Sequence, residues 1–455
     1  MRPHRPLAAL VALTLLAAGC ARGGTSTEET PGAAQAAAPA DFGDLKGICK
    51  PGKATGSSAQ GVTAKEIDIG VFSDVGFTKN SEYLDTAKVF TQWCNAAGGI
   101  NGRKVVANIR DARFMEVRQR MLESCREDFA LVGGSSGLDG LGVKDRLSCL
   151  LPAFPAQVVQ LENNGSDLQI GQTGGPSYNR YTGYITWLVK EAYPASAGSV
   201  GILTGDSPAT KTLLEQAKET FAAVGAKITY TDLFPPQGVT DWTPYAHAIK
   251  SKGVKGLMYL GDFKDLPKLQ QALTGIGYKP DWIDANSNAY NPAFIQLAAP
   301  SLGTQNTLAD LSGIHPLETA AANPATRQLV DLFKKHAPKA QVTLPGVRAF
   351  STWLLFAKAA SSCGENLTRK CLFETAVKET AWTGGGLQAP VDLSKNDAPL
   401  SCFNVEKATP QGWKPADFKP DKGAYRCNAP AHRFTGGYTK PVKLADVGKS
   451  MSDFK

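Results

Sequence analysis

The stretch CNAAGGINGRKV, Cys94 to Val105, decides how the chain on either side of it is read. It holds three glycines and two asparagines, and a glycine-rich segment invites a phosphate-loop reading. Upstream, Tyr83, Ala87, Phe90, Cys94 and Ala97 recur at alternating steps of four and three, which is one face of an α-helix. Ser81 precedes them as an N-cap. Gly98 and Gly99 then fall where a helix closes through positive φ, which glycine adopts without a Cβ clash. Asn101-Gly102 is a second turn signal, and KVVANI restarts as a strand. Phosphate loops run the other way, from strand through glycines into a helix N-terminus whose free N–H groups meet the anion. The stretch reads as a helix stop and a turn.

Outward from it, strands and helices alternate. EIDIGVFSD, KVVANIRDA, FALVGG and LLPAFP read as strands, separated by helices at Ser81, EVRQRMLESCRED and GLGVKDRLSC. Apolar runs of this length between helices indicate parallel strands covered on both faces. ENNGSDLQIGQTGGPSYN interrupts the pattern with turn formers. A second alternation follows, from RYTGYITWLVKEAY through SVGILTG to DWIDAN. Past Thr307 come the helices NPATRQLVDLFKKHAP, GVRAFSTWLLFAKAASSCG and CLFETAVKET, then a tail of short strands and turns. The expected architecture is α/β, with two Rossmann-like lobes, parallel sheets and a multi-crossover hinge. Lobe one is expected over 61–172 plus 310–385, lobe two over 173–309 plus 386–430, and a C-terminal tail over 431–455. Hinged clefts of this type can close around a ligand.

The first 19 residues read as an export signal: Arg2 and Arg5, then the short apolar core LAALVALTLLAAG. LAAGC resembles a bacterial lipobox, with Cys20 as the lipidated mature N-terminus, although Ala17 stands where a leucine is commoner. An ordinary secretory signal cut near Ala18 is the alternative. Residues 20–60 then read as a lipid anchor and flexible tether, from their small, polar, Pro/Gly-bearing composition.

Of nine cysteines, eight remain beside Cys20, an even number outside the cytoplasm, so disulfides are the default. Spacing suggests Cys363–Cys371 around one loop, Cys402–Cys427 closing a hairpin-like tail and Cys125–Cys149 clipping neighbouring βα units. Cys49–Cys94 remains. No CxxC or histidine-rich cluster points to a metal. The formal charge of +8 falls to +6 without Arg2 and Arg5, and no basic run carries interleaved aromatics, which argues against nucleic acid.

GVTAKEIDIGVFSD, CNAAGGINGRKV, CREDFALVGG, TDWTPYAHAIKSKGVKGLMYLG and CFNVEKATPQGWK, in this order, resemble the type I periplasmic-binding fold. Specifically, they resemble the branched-chain-amino-acid-like substrate-binding proteins of ABC importers, over roughly Gly61 to Lys414. The resemblance implies capture of a small polar molecule and delivery to a permease and an ATPase, with neither catalysis nor a cofactor. It places ligand contacts at the carboxyl ends of the strands lining the cleft. In lobe one these are Asp74 and its neighbour Gly76, Ser135 and Ser136, where relatives grip a carboxylate, and Gln157. Thr173 follows at the crossover. In lobe two they are Phe263, where relatives place a tyrosine, and Asn286, where amino-acid binders place an acid. Gly174 and Gly175 replace a further expected acid. An ammonium group out of water needs a carboxylate or several acceptors. These departures favour a neutral amide or a carboxylate lacking an amine over an ordinary amino acid.

A competing signal is GGSSG, Gly133 to Gly137, which satisfies the nucleophile-elbow pattern with Ser135 at its centre. An esterase would need a histidine from His247, His315, His336 or His432, and no HGGG-type oxyanion stretch lies upstream. The same residues make equal sense as an anion-binding loop. Asp74 and Asp241 also read as helix caps, and Trp187 and Trp353 as core. A surface sensor passing ligand occupancy to a receptor would use the same fold.

Overall fold

The computed structural model describes residues 40–455 apart from Pro236 and Thr439. The signal, Cys20 and the tether up to Pro39 lie outside the described residues. No helix among those described is long and apolar enough to cross a membrane.

The tether expected over 20–60 gives way at Ala40 to folded chain. Strands β1 (Ala40–Phe42) and β2 (Leu45–Cys49) pair antiparallel. Phe42 is fully buried, packed on Trp93 and Phe350, so apolar side chains anchor this segment.

Four strands form the first sheet: β3 (Glu66–Ser73), β4 (Lys104–Asp111), β5 (Ala130–Val132) and β6 (Ala153–Phe154). All pairings are parallel, in the order β4-β3-β5-β6. The helix Glu82–Ala96 packs on this sheet through Ala87, Val89 and Phe90. It ends as the glycines require. Gly98 and Gly99 have φ of 97° and 75°, and a Cβ on Gly99 would lie 2.0 Å from the Arg103 carbonyl oxygen. The Asn95 side chain accepts from the Val105 N–H at 2.8 Å and donates to the Val105 carbonyl at 2.9 Å, tying helix end to returning strand.

The second sheet takes β7 (Val200–Gly205), β8 (Ile228–Phe234), β9 (Gly256–Leu260), β10 (Trp282–Asp284) and β11 (Thr307–Asp310), all parallel. β12 (Cys402–Phe403) stands apart and later pairs with β15 (Arg426–Cys427). β13 (Val405–Thr409) and β14 (Gly412–Pro415) extend the second sheet antiparallel at its edge. The full order is β14-β13-β11-β10-β9-β7-β8.

Among the described residues the chain passes between the lobes four times, the last time within its tail. The first crossing follows Gln172, and Gly175 donates to the Ala398 carbonyl of the third. After β11, Leu311 and Ile314 already belong to the first core. The returning chain stays there through Leu387 and Leu393, past the boundary expected at 385/386, because Trp382 and Val391 bridge on that side. The tail beyond 431 is not a loose end. Glu219 accepts from the backbone of Thr435 and Gly436, while Val442, Leu444 and Phe454 pack on Val143, Leu147 and Leu168 of the first lobe.

Disulfides join Cys49–Cys94, Cys125–Cys149, Cys363–Cys371 and Cys402–Cys427. Three staple the first lobe and one the second.

Candidate functional site

A cleft of about 740 Å³ opens between the lobes at the carboxyl ends of both sheets. From the first lobe it is lined by Asp74 after β3, by Ser135 to Gly137 after β5 and by Gln157 after β6. The start of the helix Glu82–Ala96 adds Glu82 and Tyr83, and the segment before the helix Leu344–Ser362 adds Thr343. From the second lobe come Asp262, Phe263 and Lys264 after β9, with Asn288 and Asn291 after β10. Parallel strands converge their carboxyl ends on this crevice, which is why loops distant in sequence share it.

Asp74 organises the first wall. Its Oδ1 accepts from the Phe114 N–H at 2.8 Å and the Ser136 hydroxyl at 3.0 Å. Its Oδ2 accepts from the Gly137 N–H at 2.7 Å. The carboxylate therefore binds three loops together and gives the helix that follows no side-chain cap. Ser136 is buried and spends its proton on Asp74. Ser135 is half-buried and faces the Tyr83 phenol, whose pKa burial pushes up first and Glu82 second. Burial also raises the Glu82 carboxyl, against the opposing pull of Lys264 across the cleft.

Five of the eight residues expected at the site line the cleft: Asp74, Ser135, Ser136, Gln157 and Phe263. The other three stand away from its lining. Gly76 faces β4, with its N–H donating to Asp111 and space for a Cβ taken by that carboxylate at 2.5 Å. Thr173 stands in the first crossover. Asn286, at φ 54°, accepts from the Asn288 N–H, and its amide reaches the Tyr259 and Gly261 carbonyls at 3.4 Å. It shapes the loop that presents Asn288. Sequence reading missed Tyr83, Phe114, Asn288, Asn291 and Thr343, which are brought in by neighbouring turns. Tyr83 had a signal, in the first turn of a helix beginning just after the β3 loop.

The histidines sit elsewhere. His247 is exposed on the helix Thr243–Ser251, His315 contacts the Pro316 carbonyl, His336 contacts Gln92 and His432 contacts Glu219. None lines the cleft among the described residues.

Two α/β lobes with a polar interlobe cleft at their strand ends define the bilobal binding-protein class. The chain belongs to the periplasmic binding protein family, whose model matches residues 67–408. Solved structures agree on the type I fold. A fatty acid ABC transporter substrate-binding protein from Thermomonospora curvata superposes with TM-score 0.67 at 17% identity, covering 85% of this chain and 97% of that one. The leucine binding protein LivK from Thermotoga maritima gives 0.64 at 14%, over 77% and 97%. The branched-chain amino acid transporter substrate binding protein LivJ from Streptococcus pneumoniae, in complex with isoleucine, gives 0.61 at 18%, over 76% and 96%. No curated protein sequence matches the chain.

Proposed function

We propose that the protein is an extracytoplasmic solute receptor that captures a small polar ligand between its lobes and delivers it to an ABC permease and ATPase. The observation that carries this reading is the interlobe cleft itself, with serine, tyrosine, amide and backbone groups converging from both walls. Lipidation of Cys20 would hold it at the outer face of the cytoplasmic membrane, the tether giving reach. The named relatives serve ABC transport of fatty acids or branched-chain amino acids.

The ligand classes proposed are an amide, a carboxylate or an amino-acid-like molecule. A buried ammonium group would need a free carboxylate. Asp74 has its oxygens committed to three donors and is not a free one, but Glu82, Asp85 and Asp262 also line the cleft, so the amino-acid-like class stands beside the other two. Of the expected contacts, Ser135, Gln157 and Phe263 are the ones proposed to touch ligand directly, with Asp74 and Ser136 shaping their wall.

The test is mass spectrometry of whatever small molecule heat releases from the purified protein, paired with small-angle scattering before and after its return. A released polar solute that restores a smaller radius of gyration supports capture by closure. A protein that releases nothing, and whose scattering and melting no amide, carboxylate or amino acid alters, would refute it.

A further inference from the structure

A second cavity lies behind the first wall of the cleft, inside the first lobe. It holds about 50 Å³ between the sheet and the helices Val117–Glu127 and Val143–Ser148. Ser135, Ser136 and Gln157 line both this chamber and the cleft, so the serine loop and the loop after β6 form the partition between them. A backbone bond ties the two loops, from the Ala156 N–H to the Gly134 carbonyl at 3.1 Å. The adjacent Gln157 side chain makes no hydrogen bond among the described residues, so turning it aside breaks no internal bond.

The chamber is apolar where it meets the sheet. Side chains alternate across a strand, so Phe72, Leu131 and Ala153 share one face, and Ile69, Val71 and Ala130 the other. The second set is 0% exposed. The first is still 7%, 9% and 5% exposed, although it too faces a helix layer. The clusters on the helix side explain the gap, because they do not merge. Val117 and Met121 pack with the sheet residues, whereas Val143 packs with Leu147, Leu168 and the tail.

The polar groups of the lining are spent on one another or on backbone. Asp139 accepts from the Val159 and Gln160 N–H groups and from the Asn163 amide, and Asn163 accepts from Gln169. Arg146 gives both terminal nitrogens to the Leu151, Leu168 and Asp167 carbonyls and the Ser166 hydroxyl. Its Nε has no partner, but that atom is fully buried and presents nothing to the chamber. What the chamber offers is uncovered hydrocarbon. Apolar cavities hold water poorly and take apolar groups instead.

We propose that this chamber is a subsite for the hydrocarbon end of the ligand. The polar end stays in the cleft beside Ser135, while an aliphatic tail passes between the serine loop and the loop after β6 into the first lobe. At roughly 10–15 Å³ for each water-sized group, the chamber takes a tail of about three to five carbons. This rests on the reading of the cleft as a capture site and adds the tail that the captured molecule carries.

The test is calorimetry on the full chain with homologous series: straight-chain carboxylates from acetate to octanoate, their primary amides, and straight-chain 2-amino acids from alanine to 2-aminooctanoate. In at least one series affinity should rise about three- to fourfold per methylene, the transfer gain of one CH₂ group. The rise should level off once a tail of about three to five carbons has entered. Val117→Phe fills the chamber and should flatten the rise. Met121→Ala enlarges it and should move the plateau about two carbons further along the series, a gain that a merely loosened fold would not produce. A flat series, a rise that Val117→Phe leaves intact, or a plateau that Met121→Ala leaves in place overturns the subsite while capture stands. No binding by any member of the series overturns capture as well.

Discussion

The two walls of the cleft are built differently. The first is a hydrogen-bonded platform: one buried carboxylate gathers the loops after β3, β4 and β5, and three disulfides staple the lobe behind it. The second wall is a set of short loops ending in exposed Asp262, Lys264 and Asn288, held by the weaker amide contacts of Asn286. Lys264 reaches across to the Thr78 carbonyl at 3.5 Å and Asn80 at 3.4 Å, at the limit of hydrogen bonding. The contrast teaches a division of labour. A preformed wall can meet ligand first at low ordering cost, while a lightly held wall can close over it.

The sharpest way to break that contrast is Asp74→Ala. It strands the Phe114 and Gly137 N–H groups and the Ser136 hydroxyl, and should cost about 3–5 kcal/mol in denaturant unfolding. A loss under 1 kcal/mol would mean the platform is not held by this carboxylate. Next, serine at both Cys49 and Cys94 opens a loop of 45 residues and should destabilise the first lobe by about 2–4 kcal/mol, read as a lower melting midpoint. Equal melting with and without the bridge would remove the staple from the argument.

Buried carboxylates in both lobes carry the pH dependence, Asp139 of the first lobe being raised to about 6. Burial raises Asp284 to about 7 and Asp310 to about 6, from ordinary values near 3.8. The folded state therefore holds protons that the unfolded chain releases above pH 4, and stability should fall as pH rises from about 4 to about 7. Asp284→Asn should flatten this slope and raise stability at pH 7.5 by on the order of 1–2 kcal/mol. An unchanged slope would refute the assignment. The smallest contrast lies within one wall: Ser136→Ala should cost about 1 kcal/mol of stability through its lost bond to Asp74. Ser135→Ala should leave stability within about 0.5 kcal/mol, as at partly exposed sites, and instead weaken ligand binding.

Much of the fold was legible because hydrophobic period and turn chemistry act locally. The helix stop at Gly98-Gly99 follows from residues within a dozen positions, and the strand–helix alternation from runs of similar length. The helix Pro292–Leu302 was not read, since its largely apolar run, with prolines at both ends, lacks a strong period. The cleft lining was legible where a residue follows a strand end, as with Ser135 and Gln157. Asn286 and Gly76 satisfied the same positional rule, yet Asn286 turns toward the Tyr259 and Gly261 carbonyls and Gly76 toward the Asp111 carboxylate, because loop direction depends on φ and on packing partners.

By itself the sequence determined most of the order of elements and the two-lobed α/β architecture, since each is written in short-range pattern and composition. Only the tertiary structure decided that Asp74 is a brace, that the tail beyond 431 straps onto the first lobe, and that Ser135, Ser136 and Gln157 also line a chamber behind the cleft. Hydrogen-bond satisfaction is a property of groups brought together from distant parts of the chain, and no local window of residues contains it.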